Sequence, residues 1–236
     1  MVGVNPNEQG PSDITQLVLA SQNGDEGIVR MLLERHGVDP NRAGWGGETS
    51  LWLAAQNGHE GVVKMLLARK DVNPNKLDTH RRTPLSRASE KGNEGVVRML
   101  LERNDVDPNK ADYGGMAPLA WASKDGREGV VRTLPERNDV DPNKADYGGM
   151  APLAWASKEG REGVVRMLLN RNDVDPNRRS WLGATPLSLA TSYGHREVVR
   201  MLRERKDANP HKPNWRRRIM LWWTSRGLAD TQQLQS

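Results

Sequence analysis

Aromatic side chains recur at one position of a regular spacing along this sequence. They follow one another at intervals of 34 residues, or of 68 across Thr79, and the set is Trp45, Tyr113, Tyr147, Trp181 and Trp215. Each lies in a polar segment with proline, glycine or aspartate, which predicts an exposed turn. Exposed tryptophan and tyrosine are the residue types that dominate protein-binding sites. The row therefore predicts a partner-binding surface.

A purely structural role is the alternative for these aromatic residues. A ring at the tip of one turn can pack against the next turn and stabilise the stack without binding anything. Tyr113 and Tyr147 also belong to near-identical copies of one segment, so they count as a single observation.

Arginine clusters flank several of these positions. The clusters are Arg81–Arg82, Arg178–Arg179 and Arg216–Arg218. Arginine beside an exposed ring suits a nucleic acid backbone or an acidic protein surface, although unpaired surface charge is the simpler interpretation. The net charge of +5, from 35 basic and 30 acidic residues, permits an acidic partner without requiring one.

No arrangement of residues in the sequence predicts catalysis. The chain has no cysteine, which excludes thiol chemistry and zinc–thiolate sites. It has no phosphate-binding glycine loop, metalloprotease motif or nucleophile elbow. The histidines fall at scattered repeat positions and are interpreted as exposed turn residues: His36, His59, His80, His195 and His211. We therefore expect no enzyme activity, no cofactor and no metal site.

A repeat of 34 residues organises the chain. Residues 104–137 and 138–171 are near-duplicates that differ at four positions. The same period extends along nearly the whole sequence in a row of leucines: Leu17, Leu51, Leu85, Leu119, Leu153, Leu187 and Leu221. A strict period without insertions is typical of a solenoid, in which each unit stacks on the next.

One unit, residues 83–116, predicts two short helices followed by an extended finger. Thr83 and Pro84 are typical of a helix start, and Gly92 of a helix end in the left-handed conformation. The second helix has an apolar stripe at i, i+3, i+4 spacing, and its Glu94 and Arg98 form a favourable i,i+4 pair on a solvated face. The finger that follows has Val106 as its apolar anchor.

Helix, turn, helix and finger, with a TPLxxA signature at Thr83–Ala88, resemble the ankyrin repeat. The resemblance implies an all-α solenoid of helix-turn-helix units joined by β-hairpin-like fingers. It also implies that the finger tips and the concave inner-helix face bind partners. The repeats are very alike and vary mainly at the tips, and in this they resemble the 34-residue arrays attached to fungal signalling and nucleotide-binding receptor proteins.

The chain departs from the family pattern at the histidine that usually follows TPL. That position holds Trp52, Ser86, Ala120, Ala154, Ser188 and Trp222. We expect the hydrogen bonds of that histidine to be absent. Trp121 and Trp155 stand at an apolar stripe position, and we interpret them as core residues.

The repeat register predicts three parts of the chain. Residues 1–14 are predicted to be the truncated finger of a preceding repeat, and residues 15–211 six repeats that start at positions 15, 49, 83, 117, 151 and 185. Residues 212–236 are predicted to be a degenerate, truncated seventh repeat and tail. Neither end resembles a capping repeat, so we expect either an excerpt of a longer array or the product of a gene that has lost its terminal repeats.

Pro135 replaces a leucine of a second-helix stripe. Two interpretations stay open. Either the helix ends early at this proline, or it continues at a cost of roughly 3 kcal/mol.

The sequence thus predicts a non-enzymatic protein-interaction scaffold that acts as a monomer. An intracellular location, cytoplasmic or nuclear, is expected because no signal peptide or apolar span is present, and no membrane partner is expected. Nucleic-acid binding is one alternative. A regulatory fragment of a larger signalling receptor is another.

Overall fold

A computed structural model describes residues 15–205, and within this range it contains twelve α-helices and no strand. The helices are α1 (Gln16–Asn23), α2 (Glu26–Leu33), α3 (Ser50–Asn57), α4 (Glu60–Leu67), α5 (Pro84–Lys91), α6 (Glu94–Leu101), α7 (Pro118–Asp125), α8 (Glu128–Thr133), α9 (Pro152–Lys158), α10 (Glu162–Leu169), α11 (Pro186–Tyr193) and α12 (Arg196–Glu204). A 3-10 helix, Leu134–Glu136, follows α8. The odd-numbered helices pack in one layer and the even-numbered helices in a second. The all-α solenoid is confirmed.

The first helix begins at a threonine whose hydroxyl accepts a backbone hydrogen bond in α1, α3, α5 and α11, whereas α7 and α9 begin at alanine. The Thr83 hydroxyl accepts a hydrogen bond from the Ser86 N–H at 3.1 Å, and Ser86 Oγ accepts one from the Thr83 N–H at 2.8 Å. Thr185 and Ser188 repeat this reciprocal cap at the start of α11. These bonds satisfy backbone groups that a helix start leaves free.

At the position of the family's histidine, other side chains make hydrogen bonds of their own in three of the described repeats. Ser86 and Ser188 close the caps just described. The buried indole of Trp52 donates to the Arg82 carbonyl at 3.2 Å, and so ties α3 to the next finger. Ala120 and Ala154 have no side-chain polar group, so no such bond forms there.

The core is a stack of leucine pairs between the two layers. The first helices contribute Leu17, Leu51, Leu85, Leu119, Leu153 and Leu187. The second helices contribute Leu32, Leu66, Leu100, Leu134, Leu168 and Leu202. All twelve are at most 9% exposed. Because each unit buries its apolar surface mainly against its neighbours, stability depends on the stacking of repeats.

Each finger folds back on itself as a short hairpin-like turn. In the finger before α7 the Asp112 N–H donates to the Met116 carbonyl at 3.2 Å, and the Gly115 N–H donates to the Asp112 carbonyl at 3.0 Å. Val106 anchors the base of this finger and is 2% exposed. An isolated β-bridge joins Ala43 to Thr49 in the first described finger.

In four of the described fingers, an asparagine at the base binds the backbone of the next finger. The Asn109 amide donates to the Asp139 carbonyl at 2.6 Å, and its oxygen accepts from the Asp141 N–H at 2.8 Å. Asn41, Asn75 and Asn143 make the same pair of bonds in their own repeats. Side chains thus fix the register of successive fingers.

An arginine after α4, α6 and α8 binds both its own finger and the preceding repeat. Arg69 forms a bidentate ion pair with Asp71, with N–O distances of 2.9 and 2.6 Å, and it also donates a hydrogen bond to the Leu33 carbonyl at 3.0 Å. Arg103, Arg137 and Arg171 form the same fork with the aspartate two residues later. Hydrogen bonds from these guanidinium groups lower the pKa of the paired carboxyls: Asp71, Asp105, Asp139 and Asp173.

These forks predict a loss of stability in acid. A carboxyl whose pKa is lower in the folded state stabilises the fold above its unfolded pKa, which is about 3.9 for aspartate. We expect the free energy of unfolding to fall as pH drops below about 4, through the lowered pKa values of the four carboxyls. Urea titrations from pH 6 to pH 2 measure the effect. A variant with asparagine at all four positions should be less stable at pH 6 and show a shallower fall, and an equally steep fall would contradict the assignment.

Arg81 occupies a backbone conformation that glycine has in the other described fingers. Its φ is 60°, and it is the sole non-glycine residue with a positive φ among residues 15–205. The equivalent positions in the other fingers hold glycine, with φ between 75° and 80°: Gly47, Gly115, Gly149 and Gly183. The left-handed region costs a residue with a Cβ about 1 kcal/mol or more. This finger is therefore strained.

Replacing Arg81 by glycine is expected to raise the free energy of unfolding by about 1 kcal/mol. Urea denaturation followed by circular dichroism measures the change. The reverse substitution in the next finger, Gly115→Arg, is the matched control. It should destabilise more strongly, because a Cβ there would lie 2.6 Å from the Tyr147 backbone nitrogen. A loss of stability in Arg81→Gly would show that the contact of Arg81 with the Tyr113 ring, 5.8 Å from its centroid, outweighs the strain.

Pro135 ends its helix early without breaking the stack. The α8 helix stops at Thr133, whereas the second helices before and after it run to the equivalents of residue 135, Leu101 and Leu169. A 3-10 turn carries Pro135, and Leu134 remains fully buried. The structure favours the first of the two interpretations.

Candidate partner-binding surface

The aromatic row lies at the finger tips and is largely exposed. Trp45 and Trp181 are 79% and 81% exposed, and Tyr113 and Tyr147 are 63% and 62% exposed. Trp215 lies outside the described residues. The described aromatic residues are thus accessible to a partner.

Backbone hydrogen bonds join each tip to the one before it. The Tyr113 N–H donates to the His80 carbonyl at 3.1 Å, the Tyr147 N–H to the Gly114 carbonyl at 3.0 Å, and the Trp181 N–H to the Gly148 carbonyl at 2.9 Å. Thr79, which replaces an aromatic residue, donates to the Gly46 carbonyl at 2.8 Å. The tips therefore form one continuous row with a fixed spacing.

The rings of Tyr147 and Trp181 pack in part on the preceding finger, so the structural alternative also has support. A Cβ at Gly115 would lie 2.7 Å from Cδ1 of Tyr147, and one at Gly149 would lie 2.9 Å from Cδ1 of Trp181. These glycines combine a positive φ with close contact to a ring edge. More than 60% of each ring residue nevertheless remains exposed.

Trp121 and Trp155 are not core residues, contrary to the sequence prediction. Both are half-buried, on the side of α7 and α9 that faces the fingers. Each indole N–H has a carboxylate partner on a finger, and this hydrogen bond keeps the ring out of the core. The Trp121 indole N–H donates to Asp112 Oδ2 at 3.0 Å, and the Trp155 indole N–H donates to Asp146 Oδ2 at 2.9 Å.

Asp112 joins three donors at the root of its finger. Its second oxygen accepts from the Gly114 N–H at 2.8 Å and from the Met116 N–H at 2.9 Å. Asp112 is 7% exposed, so little water reaches these hydrogen bonds. Asp112 therefore holds both the finger turn and the Trp121 ring in place.

Lysine side chains alternate with the rings along the same surface. Lys124 Nζ lies 4.8 Å from the centroid of the Trp121 ring and 5.1 Å from that of Trp155. Lys158 Nζ lies 4.7 Å from the Trp155 centroid and 5.6 Å from that of Tyr193. We call Trp121, Lys124, Trp155, Lys158 and Tyr193 the inner-face ladder. It places positive charge on apolar rings, in the geometry of cation–π contacts.

The arginine clusters divide into paired and exposed members. Arg82 is held by Asp78, whose side chain is 1% exposed, with Nη2 and Oδ2 2.8 Å apart. Arg178 and Arg179 are exposed. Arg216–Arg218 lie outside the described residues. On the outer helices Arg98 pairs with Glu94 at 2.9 Å, as the sequence predicted.

Two histidines bind backbone rather than solvent alone. His59 Nε2 lies 3.0 Å from the Gln22 carbonyl, and His195 Nε2 lies 2.8 Å from the Lys158 carbonyl. Their interpretation as simple exposed turn residues was wrong, since each links its repeat to the preceding first helix. No group of three or more histidine, aspartate or glutamate side chains among residues 15–205 is placed to hold a metal ion.

The same stretch, 15–205, also has no helix with the length and apolar character needed to cross a bilayer.

The sequence contains a signal for the inner-face ladder, but the interpretation of Trp121 and Trp155 as core residues, which used only their stripe position, missed it. Lys124 stands three residues after Trp121, so the two share one side of a helix. A lysine on that side marks contact with water. An aspartate also precedes each tryptophan by nine residues, as Asp112 and Asp146.

The protein-family model for ankyrin repeats (3 copies) matches the chain in five overlapping segments, residues 1–78, 17–112, 68–146, 108–180 and 136–214. No curated protein matches the chain. The matched segments overlap and together cover residues 1–214, which is more than half of the 236 residues. They include every helix and finger described above. The chain belongs to the ankyrin repeat family.

Proposed function

We propose that this chain is a non-enzymatic scaffold that binds a protein partner through its finger tips and the adjoining inner face of its first helices. Ankyrin repeats are generally protein–protein interaction modules. The observation that carries the proposal is the row of tip aromatics, 62–81% exposed and joined by backbone hydrogen bonds. Such a row offers large apolar contacts whose geometry is fixed before binding. The binding residues are Trp45, Tyr113, Tyr147, Trp181 and Trp215.

A protein partner is favoured over a nucleic acid by the distribution of charge. Carboxylates lie among the cations near the tips: Asp112 and Asp146 at the finger roots, and Asp78 paired with Arg82. They would repel a phosphate backbone, whose binding depends on uninterrupted positive charge. Arg81, Arg178 and Arg179 are exposed cations of the arginine clusters, and they keep nucleic-acid binding as the second candidate.

Action as a monomer at an intracellular site, cytoplasmic or nuclear, completes the proposal. The same binding surface would also serve a regulatory part of a larger signalling receptor, because such a part would recognise its partner through the finger tips and the inner face in the same way.

Capture from nuclease-treated cell lysate tests the proposal. The immobilised chain is compared with a variant carrying Trp45→Ala, Tyr113→Ala, Tyr147→Ala and Trp181→Ala. We expect the native chain to retain defined proteins and the variant to lose them, because truncating a binding aromatic costs about 2 kcal/mol or more. Circular dichroism of both chains confirms equal helix content.

A variant on the outer helices is the matched control. Arg98→Ala, Arg132→Ala and Arg166→Ala change exposed residues of α6, α8 and α10 and leave the tips intact. This variant should retain the same proteins as the native chain. Equal capture by the tip variant and the native chain would refute the proposed surface. Capture that occurs from untreated lysate but not from nuclease-treated lysate, or that falls steeply with salt, would favour nucleic acid instead.

A further inference from the structure

We propose that the inner-face ladder is a recognition site for carboxylate side chains of an extended acidic peptide segment in the partner protein. The inference rests on the proposed function, because it assigns a chemistry to one part of that binding surface. It comes from the environment of two lysines in the duplicated repeats, Lys124 and Lys158.

Lys124 is a half-buried cation without a counter-ion in the described part of the chain. Its ammonium contacts the Trp121 and Trp155 rings. No carboxylate oxygen among residues 15–205 lies within 4.0 Å of it. Lys158 is more strongly held, since its Nζ lies 3.7 Å from Glu159 Oε1 and its side chain is 26% exposed. Cation–π contact compensates part of the lost hydration of Lys124 but provides no hydrogen-bond acceptor.

A carboxylate fits this environment better than a neutral or cationic group. Lysine has three N–H donors, and the rings beside Lys124 accept none of them well. An incoming carboxylate would accept charge-assisted hydrogen bonds in a partly dry site, where such bonds are strongest. Trp121 and Trp155 cannot supply donors, because their indole N–H groups are already bound to Asp112 and Asp146. The specificity therefore comes from the lysines.

Discrete carboxylates suit the ladder better than a polyanion does. The rings are already covered by lysine, so bases have no free ring face to stack on between Trp121 and Trp155. The carboxylates of Asp112, which is buried, and Asp146, which is half-buried, accept the indole N–H bonds of the two rings. A peptide with acidic residues separated by apolar ones places negative charge at the ammonium groups and keeps it away from those carboxylates.

Selection from a random 12-residue peptide library displayed on phage tests this inference. The native chain is compared with Lys124→Met/Lys158→Met, which removes both charges and keeps apolar stems against the rings. The control is Arg132→Met/Arg166→Met, which removes the same charge from exposed second-helix positions of the same repeats. We expect peptides rich in aspartate or glutamate to be enriched on the native chain and on the control.

A synthetic peptide from the selection then gives the affinity. We expect Lys124→Met/Lys158→Met to bind it at least tenfold more weakly, and the peptide with glutamine or asparagine at its acidic positions to lose the same factor. Enrichment of no peptide, enrichment without acidic residues, or unchanged binding to the lysine variant would overturn the inference. Binding of a 20-nucleotide single-stranded DNA that depends on the two lysines would also overturn it.

The proposed function can fail or hold separately from this inference. Suppose that capture of partner proteins depends on the tip aromatics, but the selected peptides bind Lys124→Met/Lys158→Met as well as the native chain. That result would refute the peptide site at the inner-face ladder and leave the proposed function standing. Equal capture by the native chain and the tip variant would refute the tips, whatever peptides the ladder selects.

Discussion

Replacing Asp112 by alanine is expected to lower the free energy of unfolding by about 3 kcal/mol, because three hydrogen-bond donors lose the carboxylate that they share as acceptor. The donors are the N–H groups of Gly114 and Met116 and the indole of Trp121, at 2.8, 2.9 and 3.0 Å. Met116 is buried, so its N–H would lose its partner without gaining water. Urea denaturation measures the loss. The near-duplicate repeat should respond alike to Asp146→Ala.

Asp107→Ala in the same finger is the control for Asp112→Ala. Asp107 is exposed, and its carboxylate accepts from the Asn109 N–H, so its removal should cost less than about 1 kcal/mol. Asp112→Asn should remain destabilising, because an amide N–H would face the indole N–H or the backbone donors. Adding Trp121→Phe to Asp112→Asn should recover part of the loss. Equal effects of Asp112→Ala and Asp107→Ala would show that Asp112 does not organise the finger.

Replacing Pro135 by leucine is expected to raise the free energy of unfolding by about 2 kcal/mol. The substitution returns a backbone N–H and lets α8 continue for the two residues by which it is shorter than α10. The equivalent leucines, Leu101 and Leu169, pack against the core. A leucine at position 135 should therefore also bury apolar surface.

The near-duplicate repeat provides the reverse experiment. Leu169→Pro should lower the free energy of unfolding by about 3 kcal/mol, because it shortens α10 and removes a core contact. Urea titrations of both variants, with amide hydrogen exchange in α8 and α10, measure the two effects. An unchanged stability for Pro135→Leu would contradict the account, since it would mean that the 3-10 turn costs nothing.

Local signals in the sequence were enough to predict the helices and the tips. Thr83, Pro84 and Gly92 act within one turn of chain, so the helix start and end that they predict do not depend on distant contacts. The exposed tip aromatics follow for the same reason, since a polar hairpin has no core to bury a ring.

Contacts between repeats could not be predicted in the same way. Trp121 stands at a stripe position, and a stripe rule places it in the core, but a finger carboxylate nine residues earlier holds its indole at the surface. His59 illustrates the same limit, because its partner is a carbonyl 37 residues away. Arg81 could have been identified as strained from the repeat register, since glycine stands at the equivalent position in the other fingers.

The most direct test of the account is amide hydrogen exchange of the chain with and without a protein captured from lysate. We expect slower exchange on binding at the finger tips, around residues 44–49, 112–116, 146–150 and 180–184, and along α7 and α9. We expect no change on the exposed side of α4, α6, α8 and α10. Protection confined to those second helices, with unchanged exchange at the tips, would contradict the central claim that the tips and the inner face bind the partner.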